Sequence, residues 1–170
     1  ITVQGTTIWN GLVPGTVAMP GTDPCRMVFT GTHTVIVDGT NARAIASGSD
    51  VVTTPNIEGF VDVTYQDGYT IYADALSQVV YVSNLDDPVT IGALNFTTVD
   101  AHPGRIVGIA SVNRELVVIK TNTVEYYYNA GVGGFPFARS TPGLVEQGSR
   151  PTDSRTLAFL LRGVNAIHEH

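Results

Sequence analysis

A short run rich in β-branched residues, a tight turn and a second such run recur about every 45 residues, and no other feature restricts the fold as much. Thr32 to Val37 (Thr-His-Thr-Val-Ile-Val) lines up with Ser77 to Val82 (Ser-Gln-Val-Val-Tyr-Val) and with Thr121 to Tyr126 (Thr-Asn-Thr-Val-Glu-Tyr). A unit this small cannot bury an apolar face alone, so successive units must stack. Strands repeating at this length read as four-stranded blades of a β-propeller. The 170 residues hold three blades and part of a fourth, whereas closure takes about four to eight. The chain is therefore expected to be a segment of a longer propeller. The opening Ile1-Thr2-Val3, without a methionine, and the strand-like Val164 to Ile167 at the far end carry the same expectation.

The reading is all-β: three to four four-stranded antiparallel blades in one domain over residues 1–170, at about 16–60, 61–106 and 107–153, with a partial blade at 154–170. Inner strands are placed at Thr16 to Met19, Val61 to Tyr65 and Val107 to Ser111. Second strands fall at Arg26 to Phe29, Tyr69 to Tyr72 and Glu115 to Ile119. The aligned segments above are the third strands, and Arg43 to Ala46, Leu94 to Thr98 and Phe137 to Ser140 the fourth. Arg155 to Leu161 and Val164 to Ile167 begin another hairpin. Apolar spacing of three and four is sustained nowhere, so helix is not expected. Pro20, Pro24, Pro55, Pro88, Pro103, Pro142 and Pro151 all fall between these strands, where a missing amide donor matters least.

Nine Lys and Arg against fifteen Asp and Glu give a net charge of −6, which argues against a general phosphate-binding face. An acidic surface beside DNA instead repels its backbone and lets the polymer slide. The single Cys25 forms no intrachain disulfide. The sequence carries no apolar run of the roughly 18 residues that a membrane span takes, and no charged-then-apolar leader.

Several segments could carry chemistry, and each has a plainer reading. Asn84-Leu85-Asp86-Asp87-Pro88 is the densest acidic cluster and could bind a hard cation. No alternating Asp ladder or closing Glu follows it, so a turn stitched by Asn and Asp side chains is favoured. Gly131 to Phe137 is glycine-rich but lacks the Lys-Ser/Thr pair and helix of a phosphate cradle. It reads as a flexible loop with an aromatic plug, in which Phe135 and Phe137, flanking Pro136, pack one ring on each side of the chain and anchor the loop on a neighbouring blade or subunit. His168-Glu169-His170 could grip a metal from one strand face, yet an exposed tail is the simpler account. Asp100, His102 and Glu125 could be assembled into a hydrolase set, but no Gly-x-Ser-x-Gly elbow accompanies them. The Ser-x-Asp-x-Gly-x-Thr-Trp box of sialidase-like propellers is also absent, and the sole Trp9 lies outside the repeats. Tyr126-Tyr127-Tyr128 could stack bases or sugars, although alternating tyrosines on a sandwiched sheet more simply fill core and rim. No catalytic residue, metal ligand or cofactor site is assigned. The candidate interaction residues are Asn84, Asp86, Asp87, Phe135 and Phe137.

From Tyr69 to Gly148 the ordered series Ile71-Tyr72-Ala73, Val80 to Pro88, Leu94-Asn95-Phe96, Arg105-Ile106-Val107, Glu115 to Ile119, Thr123-Val124-Glu125, Phe135-Pro136-Phe137, Gly143 and Glu146-Gln147-Gly148 resembles one family. It is similar to the packaged-DNA stabilisation proteins, or tail accessory factors, of short-tailed bacteriophages. The likeness covers about half the chain well and the N-terminal blade loosely. Ile91-Gly92 stands where the family usually has a tryptophan, Ser149 where it has a cysteine, and Leu160-Leu161-Arg162-Gly163 approximates its aromatic-Leu-Gly turn. The resemblance implies a non-enzymatic β-propeller of the virion tail, made in the host bacterial cytoplasm. It implies a hexameric ring below the portal and adaptor that retains packaged DNA and holds tail needle and tailspike proteins, without sequence-specific DNA binding or a membrane. A carbohydrate-binding propeller of adhesin or lectin type is the alternative, resting on the tyrosine run and the acidic turns.

Overall fold

The computed structural model describes residues 2–4, 7–10, 13–19, 21, 24–49, 51–74 and 76–145, and every regular element among them is a β-strand. Strands β1 (Thr2–Gln4), β2 (Thr7–Asn10) and β3 (Val13–Ala18) form a three-stranded antiparallel sheet. Three four-stranded antiparallel sheets follow, each made of four consecutive strands. The first holds β4 (Arg26–Phe29), β5 (His33–Val37), β6 (Ala42–Ala46) and β7 (Val52–Thr53). The second holds β8 (Phe60–Gln66), β9 (Tyr69–Asp74), β10 (Val79–Val82) and β11 (Phe96–Thr98). The third holds β12 (Ile106–Val112), β13 (Glu115–Lys120), β14 (Val124–Asn129) and β15 (Phe137–Val145). Among the described residues no helix is long and apolar enough to cross a membrane.

The sheets stack because their strands are apolar on both faces. In β9, Ile71 and Ala73 point one way and Tyr72 the other, and all three are fully buried. Ile71, Ala73, Val80 and Val82 meet Ile109, Leu116, Val118, Tyr127 and Phe137 of the third sheet. On the opposite face, Phe60, Val63 and Tyr72 meet Val35, Val37, Ala42 and Ala44 of the first sheet. Phe60 stacks on Tyr72 with ring centroids 4.5 Å apart, and the Tyr72 hydroxyl donates to the Pro88 carbonyl at 2.5 Å. The same alternation sends Ile36 and Ile45 of the first sheet towards Met19, and Val117 and Ile119 of the third sheet into a cluster with Val124 and Tyr126. The leading strands β4, β8 and β12 lie beside one another.

The second and third sheets repeat in detail. Both leading hairpins turn in two residues, Asp67-Gly68 (φ 52° and 86°) and Asn113-Arg114 (φ 51° and 65°), as the right-handed strand twist favours. Both carry a register shift at the second position of the leading strand, between Phe60 and Asp62 and between Ile106 and Gly108.

Their strands lie where the sequence pattern places them; the first sheet departs from it. Thr16 to Met19 does not lead that sheet, because β3 pairs with β2. Arg26–Phe29 is the leading strand instead, and Thr32 to Val37 supplies its second strand rather than its third. The sheet closes with β7, only two residues long and too short to leave an alternating signature. Pro142 also departs from expectation by lying inside β15. It is tolerated because β15 is an edge strand and the pairing with β14 is irregular there, Glu125 facing Leu144 but Tyr127 facing Arg139.

Polar ties lock the second sheet to the third. The Asp62 carboxylate accepts the Ile109 amide of β12 and its neighbour Val63's amide, both at 2.9 Å. Burial pushes this carboxyl up to about 6 despite those two donors and the Arg26 charge. The folded state therefore holds a proton on Asp62 more tightly than the unfolded chain does. The stabilisation this provides is complete below about pH 4 and is lost as pH rises through about 6, a difference on the order of 3 kcal/mol. In urea melts of wild type and Asp62→Asn between pH 4 and 7, the difference in unfolding free energy should shift in favour of the variant as pH rises. A pH-independent difference would show that Asp62 does not titrate as described.

Candidate docking site

The Asn84-to-Pro88 and Gly131-to-Phe137 loops come from different sheets, yet both are held against the Asp67-Gly68 hairpin. The Asp86 amide donates to the Gly68 carbonyl at 2.8 Å. A Cβ on Gly68 would lie 2.6 Å from Leu85 Cδ1, so glycine permits this approach. On the other side Asn129, just before the glycine-rich loop, donates to Asp67 at 3.0 Å.

The first loop is a turn. The Asp87 amide donates to the Asn84 carbonyl at 3.2 Å, and Asp87 Oδ1 accepts the amides of Val89 at 3.0 Å and Thr90 at 3.3 Å. The Thr90 hydroxyl and these amides hold the Asp87 carboxyl below its ordinary value. Asn84 accepts from the Asn95 side chain at 3.2 Å. Asn84, Leu85 and Asp86 are exposed. Among the described residues no group of three or more His, Cys, Asp and Glu is placed to hold a metal ion. The His168-Glu169-His170 segment lies outside the described residues.

The second loop differs from expectation in one respect. Phe135 and Phe137 do not pack on opposite sides of the chain; their rings meet edge to face with centroids 5.8 Å apart. Phe137 is buried and makes a second edge contact with Tyr69 of the second sheet at 6.1 Å. Gly134 sits against Leu94, whose carbonyl would lie 3.2 Å from a Cβ added there. The aromatic plug thus anchors this loop to the neighbouring sheet of the same chain, and Phe137 is spent in that core. Phe135 is only partly buried, and Val132 of the same loop and Leu94 against Gly134 are 56% and 77% exposed.

Asp100, His102 and Glu125 are drawn into one neighbourhood by Lys120, which the sequence pattern did not single out. Lys120 and Glu125 have side chains fully sequestered from solvent, their charged atoms 3.5 Å apart. The Lys120 ammonium also donates to Gln78 Oε1 at 2.8 Å, to the Val99 carbonyl at 2.7 Å and to the His102 carbonyl. Glu125 Oε2 accepts the Tyr127 hydroxyl at 3.1 Å, with the Arg139 guanidinium 3.9 Å away. Burial, with the Glu125 charge and hydrogen bond behind it, raises the Tyr127 phenol well above its ordinary value. His102 contributes its backbone carbonyl, and among the described residues no hydrogen bond joins its ring to Asp100 or Glu125. This is a clip that fastens the loop after β11 and the residue just before β10 to the third sheet. Of the tyrosine run, Tyr126 and Tyr127 are buried and Tyr128 is 49% exposed.

Removing one member of a buried pair strands its partner, which costs about 3–5 kcal/mol. Lys120→Met should lower unfolding stability by about that much in chemical denaturation, and adding Glu125→Leu should recover part of it, because the carbonyls of Val99 and His102 stay unpaired. A loss below about 1 kcal/mol for the single variant would contradict the clip.

A family model described as Bacteriophage P22 Gp10, beta-propeller, matches residues 3–157. Among curated proteins no sequence matches significantly. Stacked four-stranded sheets and a match over most of the chain agree, and this chain belongs to the phage stabilisation family typified by the P22 Gp10 β-propeller.

Proposed function

We propose that this chain is a structural, non-catalytic component of the phage tail that assembles as a ring beneath the portal and adaptor, helps retain packaged DNA and docks further tail proteins. The observation that carries this reading is membership of the Gp10-type family across residues 3–157. The physical chemistry is compatible with it. A net charge of −6 disfavours adhesion to passing DNA. The buried carboxylate of the Asp100, His102 and Glu125 group is occupied by Lys120 and Tyr127.

Within this reading the contact surfaces are the exposed part of the Asn84-to-Pro88 turn, with Asn84, Asp86 and the rim of Asp87, and the glycine-rich loop around Phe135. Residues 1–170 are read as one propeller segment of a single domain, and the ring as a hexamer.

Native mass spectrometry of the chain, with a mobility-shift assay on double-stranded DNA at low salt, tests the proposal. A discrete closed oligomer without DNA retardation is expected. A monomer at all concentrations, or tight DNA binding, would count against it. Phe135→Ala should weaken the oligomer while leaving the β circular dichroism signal intact. Phe137→Ala should instead cost about 3–5 kcal/mol of folding stability, since it opens a cavity in the core.

A further inference from the structure

The two seams between the four-stranded sheets are finished differently at the hairpin end. Between the second and third sheets the seam is bonded shut. Gln66 donates to the Arg114 carbonyl at 2.7 Å, Ser111 donates to Gln66 at 2.9 Å, and Arg114 approaches Asp67 at 3.7 Å. Between the first and second sheets, among the described residues, no hydrogen bond joins the Thr30-Gly31-Thr32 turn to Tyr65, Gly68 or Asp86. A groove of about 480 Å³ remains there, lined by Thr30, Thr32, Tyr65, Gly68, Asp86 and Pro88 among others. That volume is in the range of a ligand pocket of about 300–1,000 Å³.

We propose that this groove receives a basic side chain, arginine or lysine, carried on a surface segment of a partner protein. The inference rests on reading the chain as a docking component and names the chemistry of one docking site.

Three observations favour a cation on a peptide. First, the lining carries one formal charge, the Asp86 carboxylate, and no Lys or Arg. Asp86 holds a left-handed φ of 56° and is fixed through its amide, yet among the described residues its carboxylate makes no hydrogen bond or ion pair. Its neighbour Asp87, by contrast, is used up within the turn. The other charged groups nearby are Asp67, paired with Arg114, and His33, whose charge acts on Asp87. Second, the Tyr65 ring lines the groove half-buried, where a guanidinium held by Asp86 can lie against its face. Third, the hydroxyls of Thr30 and Thr32, on one wall of the groove, are already committed. Thr30 Oγ1 donates to the His33 carbonyl at 3.2 Å, and Thr32 Oγ1 bonds His33 Nδ1 at 3.0 Å. A sugar would need those hydroxyls free.

The test is saturation-transfer-difference NMR on the peptide acetyl-Gly-Arg-Gly-amide with the 170-residue chain, a readout that works for a monomer or a ring. Parallel arms use the citrulline peptide, a neutral analogue of the same shape in which a carbonyl oxygen replaces one guanidinium nitrogen, and maltotriose. Transfer centred on the arginine side chain is expected, with little for citrulline, and Asp86→Asn should reduce it about fivefold or more through loss of the charge-assisted bond. Tyr65→Leu should also weaken it. Equal transfer for citrulline, no effect of Asp86→Asn, or transfer to maltotriose instead would overturn the proposal. Native mass spectrometry of the same samples separates the two readings. A ring that forms without binding the arginine peptide sinks the groove assignment alone.

Discussion

The structure depends on sheets that are apolar on both sides. A sheet with one wet face can end a fold, but the second sheet cannot, since Ile71 and Ala73 on one face and Tyr72 and Phe60 on the other are all excluded from solvent. The second unit therefore requires the neighbour before it and the one after it, and stability accumulates along the series. The same demand places charged groups where charges are costly. Asp62 and the Lys120–Glu125 pair lie in the seam between the second and third sheets, and each bonds across it. Such groups add direction to a contact that apolar packing leaves free to slide, because only one register satisfies all their partners.

The second and third sheets were legible in the sequence for local reasons. Asp67-Gly68 and Asn113-Arg114 mark two-residue turns, and the flanking runs from Phe60 to Asp74 and from Ile106 to Lys120 are long enough to show their period. The first sheet lies one strand out of step with the sequence pattern because β7 spans two residues and β3 has the composition of a leading strand while pairing elsewhere. Composition says what can be a strand; which strand it pairs with is decided by distant residues.

The site was less legible than the fold. The turn at Asn84 to Pro88 and its exposed carboxylate could be read from residue types, because Asn, Asp and Pro act on their own backbone. Phe137 reads from the sequence as an anchor for its loop, but its partner Tyr69 lies far away in the chain and leaves no local sign. Lys120 gave one local sign, a lone cation ending an apolar strand with a glutamate five positions on, and at a strand end this reads equally well as solvated. The groove between the first and second sheets had no local sign, since its walls come from three separate turns.

The outermost strands of the three sheets carry a further consequence. β7 and β11 are two and three residues long, and β15, though nine residues, is interrupted by Pro142 and an irregular register. None of these rims offers an unbroken row of amides and carbonyls on which a foreign strand could template itself. Fusion with a neighbouring chain through backbone pairing at these rims is thereby hindered. The chain's associations are left to side chains, which can be tuned one residue at a time.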